Sequence, residues 1–182
     1  MWPTSAANTS IELFEARTPL LVLDKSYVAD SGGAGRQRGG LGQVVRLRKL
    51  FDDGRPTLAS VYPEGVAVRT PGLFGGKPGG DPHGWLVDRD SNKLKDYGVG
   101  ELATLTATDQ IIELQLAGGS GFGDPLERPL ALVESDLENG YITAAGAAAD
   151  YGCVVGPDGR IDHAASEARR RQLRAGLAQV AE

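Results

Sequence analysis

The sequence predicts a mainly β protein of the α+β class, sandwich- or barrel-like, with two or three helices in its C-terminal third. Three observations predict it. Short alternating apolar runs bounded by Gly, Pro and Asp fill the first two-thirds of the 182 residues, the pattern of strands and turns. After Pro125 the apolar spacing changes to that of helix faces. Three glycine-rich loops, within Ser31–Gly42, Gly72–Gly84 and Gly118–Gly123, each begin where a predicted strand ends. Three such loops leaving one sheet can converge on one edge and line a shared surface. The organisation expected is a glycine-loop-rich β domain over residues 1–124 with a helical segment, 125–182, packed on it.

The opening MWPTSAANTS is polar and loop-like, and its Trp2 is expected to pack on a neighbour, being too large to leave in water cheaply. Ser10 is placed to cap a helical turn through Ile11–Ala16, with Leu13 and Phe14 facing inward. Pro19 stops it, Leu20–Leu23 is of strand length, and Asp30 closes that strand. Val45, Leu47 and Lys49 alternate with Arg46, Arg48 and Leu50, a half-buried strand whose basic outer face reads as solvated. Asp52–Pro56 has the composition of a hairpin turn leading into a strand near Leu58–Tyr62. Pro63-Glu64-Gly65 turns again, and Val66 and Val68 open a further strand. Trp85–Val87 resumes a strand before the turn-rich Asp88–Lys93. Leu102–Leu105 and Ile111–Leu116 are the last main strands, with Asp109 turning between them. In the second, Ile112, Leu114 and Leu116 share one face, opposite Glu113 and Gln115.

In the C-terminal third, Leu130, Val133 and Leu137 lie on one helical face, and Gly140 suits the position just past the helix end. Thr143 can cap an alanine-rich helix ending near Tyr151-Gly152. Cys153–Val155 and Arg160–Ile161 bracket the turn Gly156-Pro157-Asp158-Gly159. Asp162 caps a last helix to about Ala181, with Leu173, Leu177 and Val180 as its apolar stripe and Arg169–Arg171 and Arg174 on its solvated side.

Composition narrows the function classes. A net charge of −5 and no dense basic face argue against a nucleic-acid surface. No apolar run approaches a membrane span and the N-terminus carries no signal pattern, so a cytoplasmic location is expected. The single cysteine, Cys153, reads as a core residue. His83 reads as a solvated loop histidine: the other histidine, His163, is eighty residues away, and no spacing of His and Cys suits a metal. No metal site is expected.

Six of the twelve residues in SGGAGRQRGGLG are glycine, and Arg36 and Arg38 sit among them. Glycine serves where φ is positive or where backbones approach closely. A loop of this kind is either a tight structural turn or an anion holder built from amides and guanidiniums. The dinucleotide pattern fails, because Arg38 stands where its third glycine belongs. The P-loop fails at Gly76-Lys77, since Pro78 replaces the required Ser or Thr and Pro71 the first glycine.

SGGAGRQRGGLG, PGLFGGKPG (Pro71–Gly79) and GGSGFGDPLERP (Gly118–Pro129) together resemble the C-terminal part of the hydantoinase B / 5-oxoprolinase family. NTSIELFEARTPL (Asn8–Leu20), NGYIT (Asn139–Thr143) and DYGCVV (Asp150–Val155) fit in the same order. GGSGFGDP departs from the more usual unbroken glycine run. The resemblance covers nearly the whole of this chain but only the last portion of family members. It implies a C-terminal subunit or fragment of a B-type protein, inactive alone, in an ATP-dependent cyclic-amide hydrolase complex; the alternatives are a ketone carboxylase subunit or a self-associating binding module. The implied partners are a hydantoinase A-type subunit and an N-terminal B-type chain. ATP and a divalent metal belong to the full complex, with neither bound by this chain. Arg36, Arg38 and Lys77 are the candidates for contacts with a partner or an anionic intermediate. Gly32, Gly33, Gly35, Gly39, Gly40, Gly75, Gly76, Gly121 and Gly123 are the candidate structural glycines.

Overall fold

Seven strands in antiparallel sheets and four helices, the helices mainly in the C-terminal half, make up the computed structural model, which describes residues 9–61 and 69–180. The sheets do not close into a barrel. The chain forms two compact units interleaved along the sequence. The first comprises Met1–Ser26, Val44–Pro63 and His83–Leu114, and the second Tyr27–Gln43, Glu64–Pro82 and Gln115–Glu182.

In the first unit, Ser10 Oγ accepts from the Leu13 amide and starts helix α1, Ile11–Arg17, as the capping rule predicts. Phe14 packs on the core, whereas Leu13 is exposed. The strands are β1 (Leu20–Tyr27), β2 (Gln43–Lys49), β3 (Thr57–Val61), β4 (His83–Val87), β5 (Lys93–Asp96), β6 (Glu101–Leu105) and β7 (Ile111–Gln115). Five of them form a sheet in the order β1-β2-β7-β4-β5, and β3 pairs with β6 in a separate two-stranded sheet. The core holds Leu20, Leu47, Val61, Tyr97, Ala103, Leu105 and Ile112. At the sheet edge, Glu15 of α1 accepts the Val22 amide of β1 at 2.7 Å, occupying a donor that could otherwise template another strand.

The hairpin expected across Asp52–Pro56 does not form. Both neighbours of β2 are already β1 and β7, so no edge is left for β3, which pairs with β6 from Thr57↔Leu105 to Val61↔Glu101. Lys49 sits on the inner face of β2, 1 % exposed, and its ammonium gathers the turn by donating to Asp53 Oδ1 at 3.0 Å and to the Arg55 carbonyl at 2.5 Å. The hydrogen bond from Lys49 is the main reason that the Asp53 carboxyl is held below its ordinary range. Leu116, expected to share the inner face of Ile112, is exposed beyond the end of β7. The strand expected at Val66 and Val68, and the packing expected of Trp2, lie outside the described residues.

The second unit carries the glycine loops and helices α2 (Leu130–Glu138), α3 (Ala144–Tyr151) and α4 (His163–Val180), after a single 3-10 turn at Pro125–Glu127. Thr143 Oγ1 and Asp162 Oδ1 cap α3 and α4 as expected, and Gly140 and Gly152 take the left-handed conformation past α2 and α3. The core is Ala34, Leu130, Val133, Ile142, Ala147, Tyr151, Cys153 and Ile161. Burial pushes the Cys153 thiol up, in keeping with an inert core cysteine.

Of the α4 arginines expected on a solvated side, Arg169, Arg171 and Arg174 are exposed, whereas Arg170 is not. Arg170 is buried and donates from Nε to the Tyr151 carbonyl at 2.8 Å and from Nη1 to the Arg128 carbonyl at 2.7 Å. Arg174 reaches the Leu126 carbonyl at 2.7 Å and Arg169 the Cys153 carbonyl at 3.3 Å. Carbonyls left open where α3 and the 3-10 turn end need donors, and the guanidiniums supply them.

The Tyr151 hydroxyl is buried with no hydrogen-bond partner among the described residues, and burial pushes its pKa up to about 12. Tyr151→Phe should therefore keep or raise stability, by about 1 kcal/mol, in urea denaturation at neutral pH. The folded pKa lies above that of an unfolded tyrosine, about 10. As pH climbs between 10 and 12 the unfolded chain gives up this proton first, so wild type loses stability there and the variant loses less. Equal losses would show that the hydroxyl is hydrated.

Candidate functional site

The three glycine loops lie against one another within the second unit, and each hydrogen-bonds to both others. Gly33 donates to the Gly119 carbonyl at 2.8 Å, and Gln37 and Phe122 exchange both backbone hydrogen bonds at 2.9 Å. Lys77 donates to Ala34 at 2.7 Å, Gly121 to Lys77 at 2.9 Å, and Gly80 to Ser31 at 2.7 Å. Leu73 donates to Gly121 at 3.1 Å and accepts from Gly123 at 2.8 Å. These amides are thus occupied by carbonyls of neighbouring loops.

Close approach, more than positive φ, is what the glycines supply. A Cβ on Gly39 would land on the Gly119 carbonyl, on Gly121 on the Ala34 carbonyl, on Gly76 on the Gly121 carbonyl, and on Gly33 on the Lys77 carbonyl. At Gly32 and Gly35 it would lie 2.5 Å from the Gly39 oxygen and 2.6 Å from the Phe122 nitrogen. Gly75 and Gly123 instead hold φ of 90° and 76°. Gly40 has neither constraint: nothing stands within 4 Å of where its Cβ would be.

The three candidate cations separate. Arg36 is exposed; its amide donates to Gly123 at 3.1 Å and its carbonyl accepts from Arg128 Nη1 at 3.2 Å. Lys77, exposed, pairs with Asp150 at 2.6 Å beside a cavity of about 560 Å³ lined by Gly75, Asp124, Leu126 and Leu173 among others. Arg38 turns inward. Its Nε and Nη2 grip Asp136 at 3.1 and 3.2 Å, its Nη1 donates to the Gly39 carbonyl at 2.7 Å, and its plane lies 5.4 Å from the Tyr141 ring centre. Asp136 also accepts from Arg128 at 2.8 Å. Two guanidiniums thereby share one carboxylate, with side chains 14 % (Arg38), 8 % (Arg128) and 8 % (Asp136) exposed. Sequence reasoning missed the aspartate because it lies 98 residues from Arg38 and 8 from Arg128, at an α2 position that reads as ordinary polar surface.

A second polar array crosses the five-stranded sheet. Arg46 on β2, Glu113 on β7 and His83 on β4 come from adjacent strands, with Arg46 Nε 2.6 Å and His83 Nε2 2.9 Å from the two Glu113 oxygens. His83 stacks on Trp85 with ring centres 3.6 Å apart, and Lys93 of β5 covers the Trp85 ring. His83 is therefore a half-buried strand residue and not a solvated loop histidine. Arg46 is tied down as well, because Glu113, read as an outer-face residue, is buried and needs a cation. Glu113→Gln should cost about 2 kcal/mol in urea denaturation; a cost below about 0.5 kcal/mol would make the pairing dispensable. This array does not suit a metal ion, since one Glu113 oxygen is held by a guanidinium. Among the described residues no group of three or more His, Cys, Asp or Glu side chains could hold one.

The motifs that build the interleaved loops lie within a match of residues 1–125 to the hydantoinase B/oxoprolinase family model. The chain belongs to this family. Caprolactamase subunit beta of Pseudomonas jessenii is 37% identical over 171 residues, which is 88% of this chain and 27% of that protein. The crystal structure of ATP-dependent caprolactamase from the same organism superposes with a TM-score of 0.71 at 31% identity, over 89% of this chain and 28% of that one. The acetone carboxylase alpha subunit of Xanthobacter autotrophicus is 27% identical, over 96% of this chain and 27% of its own length. The chain thus spans about a quarter of the length of these curated relatives. Among the described residues no helix is long and apolar enough to cross a membrane.

Proposed function

We propose that this chain serves as the C-terminal part of a hydantoinase B-type subunit in an ATP-dependent complex that opens cyclic amides. Its likeness to caprolactamase subunit beta carries this reading: 37% identity across 88% of the chain, confined to 27% of the relative. A segment making up a quarter of a family subunit has no reason to hold the whole catalytic apparatus. The chain on its own would be inactive, and ATP and a divalent metal would be handled elsewhere in the complex.

Its work would be assembly, with a hydantoinase A-type subunit and the preceding part of a B-type chain as partners. Leu73, Phe74 and Phe122 support this. They are large, apolar and exposed, the two phenylalanine rings are 5.1 Å apart, and Phe74 holds a left-handed φ of 52° that a bulky side chain avoids. Exposed Arg36 and Lys77 would add polar contacts at the same junction. Kinship with the acetone carboxylase alpha subunit favours ketone carboxylation as the second reading.

The test mixes this chain with the A-type subunit and the preceding B-type segment, and follows mass by light scattering and ATP hydrolysis with lactam, hydantoin, 5-oxoproline or ketone plus bicarbonate. Co-elution, with turnover of a cyclic amide only in the complete mixture, is the expected result, and Phe74→Ser should weaken co-elution about tenfold or more. Turnover of a ketone alone would select the second reading. A defined homo-oligomer that ignores both partners would overturn both in favour of a self-associating module.

A further inference from the structure

We propose that the cavity beside Arg38 is a binding site for a small carboxylate with a flat apolar body. The cavity measures about 400 Å³ and is lined by Tyr27, Arg38, Gly40, Leu41 and Tyr141, a size and lining that suit a small molecule. The inference does not depend on the assembly described above, because all five residues belong to the second unit of this chain.

The charge and the donors point to an anion. The Nε–Nη2 side of Arg38 is held by Asp136, and Nη1 gives one hydrogen to the Gly39 carbonyl. A guanidinium carries five N–H groups, so among the described residues one hydrogen on Nη1 and one on Nη2 remain as donors for an anionic ligand. Asp136 cannot neutralise this cation, since it also serves Arg128. Arg128 Nε itself is buried without a partner among the described residues. Among the described residues the cluster therefore holds one positive charge in excess on side chains that are mostly buried, and a monoanion arriving from the open cavity balances it. A phosphate monoester brings more negative charge than this cluster can answer.

The walls and the floor point to the rest of the ligand. Tyr141 lies against the guanidinium plane, and Tyr27 and Leu41 add apolar surface, so the walls favour a ring or a compact hydrocarbon. Gly40 supplies an independent sign. Gly39 beside it is forced to be glycine by backbone contact, yet Gly40 has open space where a side chain would stand and no positive φ. Gly40 lines the cavity, so a branched side chain there would narrow it.

Titration of the purified chain with benzoate, benzamide and phenyl phosphate, followed by calorimetry and amide chemical shifts, tests the proposal. Benzoate is expected to saturate, shifting Tyr27, Gly40 and Tyr141, and to bind about tenfold tighter than neutral benzamide and tighter than phenyl phosphate. Gly40→Val should abolish binding with a nearly unchanged thermal midpoint, since nothing stands within 4 Å of its Cβ. Should that variant lose stability, Tyr27→Ala, an exposed position, must weaken benzoate severalfold instead. No saturation, equal binding of benzamide, preference for phenyl phosphate, or shifts confined to other residues would each overturn the assignment.

Discussion

Gly39→Ala should lower the thermal midpoint by roughly 10 °C, while Gly40→Ala, one residue on, should leave it unchanged or raise it slightly. The contrast follows from what each new methyl meets. At Gly39 it would occupy the Gly119 carbonyl, and the Gly119 oxygen is itself the acceptor for Gly33. Neither chain can give way cheaply, because both are backbone and both are tied to the third loop through Ala34, Lys77 and Gly121. Overpacking against backbone at such a site should cost about 3 kcal/mol, the upper part of the range for inserted methyl groups. At Gly40 the methyl enters empty space, and alanine's smaller entropy loss favours folding by about 0.5 kcal/mol. Differential scanning calorimetry of both variants decides the matter. Equal midpoints would mean that the loops are separate turns and not one packed body.

This pair also marks how far the sequence could be read. Six glycines in twelve residues announced a loop held from both sides, and the phosphate motifs could be excluded residue by residue. Which glycines were indispensable could not be seen, because the atoms that forbid a side chain at Gly39 or Gly121 come from loops about 80 residues away. The same division runs through the fold. Caps at Ser10, Thr143 and Asp162 and the left-handed Gly140 and Gly152 were legible, since each acts on amides or carbonyls within a turn of itself. Strand pairing was not, because it depends on which edges are already occupied, and β3 found β6 instead of β2. Charged side chains misled most. Arg46, Arg170 and His83 sit in patterns that read as wet surface, yet each reaches a buried carboxylate or an open carbonyl that is remote in sequence. Lysine at an inner-face position of β2 was the one such residue whose spacing alone told against solvent.

Asp136→Leu should be the most damaging single change among the buried charges, at about 4 kcal/mol. Removing this carboxylate strands two guanidiniums, on Arg38 and Arg128, that are almost out of water and have no other anion in contact among the described residues. Among the described residues Arg128 retains one tie, to the Arg36 carbonyl, and its Nε is already unpartnered. Arg38 keeps, among the described residues, the Gly39 carbonyl and the Tyr141 ring. The cost belongs to the uncompensated charges more than to the lost pairs, so it can be separated by a second change. Arg128→Met together with Asp136→Leu should recover about half of the loss, because one buried charge disappears and a methionine fills similar volume. Chemical denaturation of wild type, both single variants and the double variant completes the cycle. If the double variant is no more stable than Asp136→Leu alone, the aspartate acts by fixing α2 against the first glycine loop and not by balancing charge. In that case the excess positive charge beside Arg38 is smaller than its contacts imply.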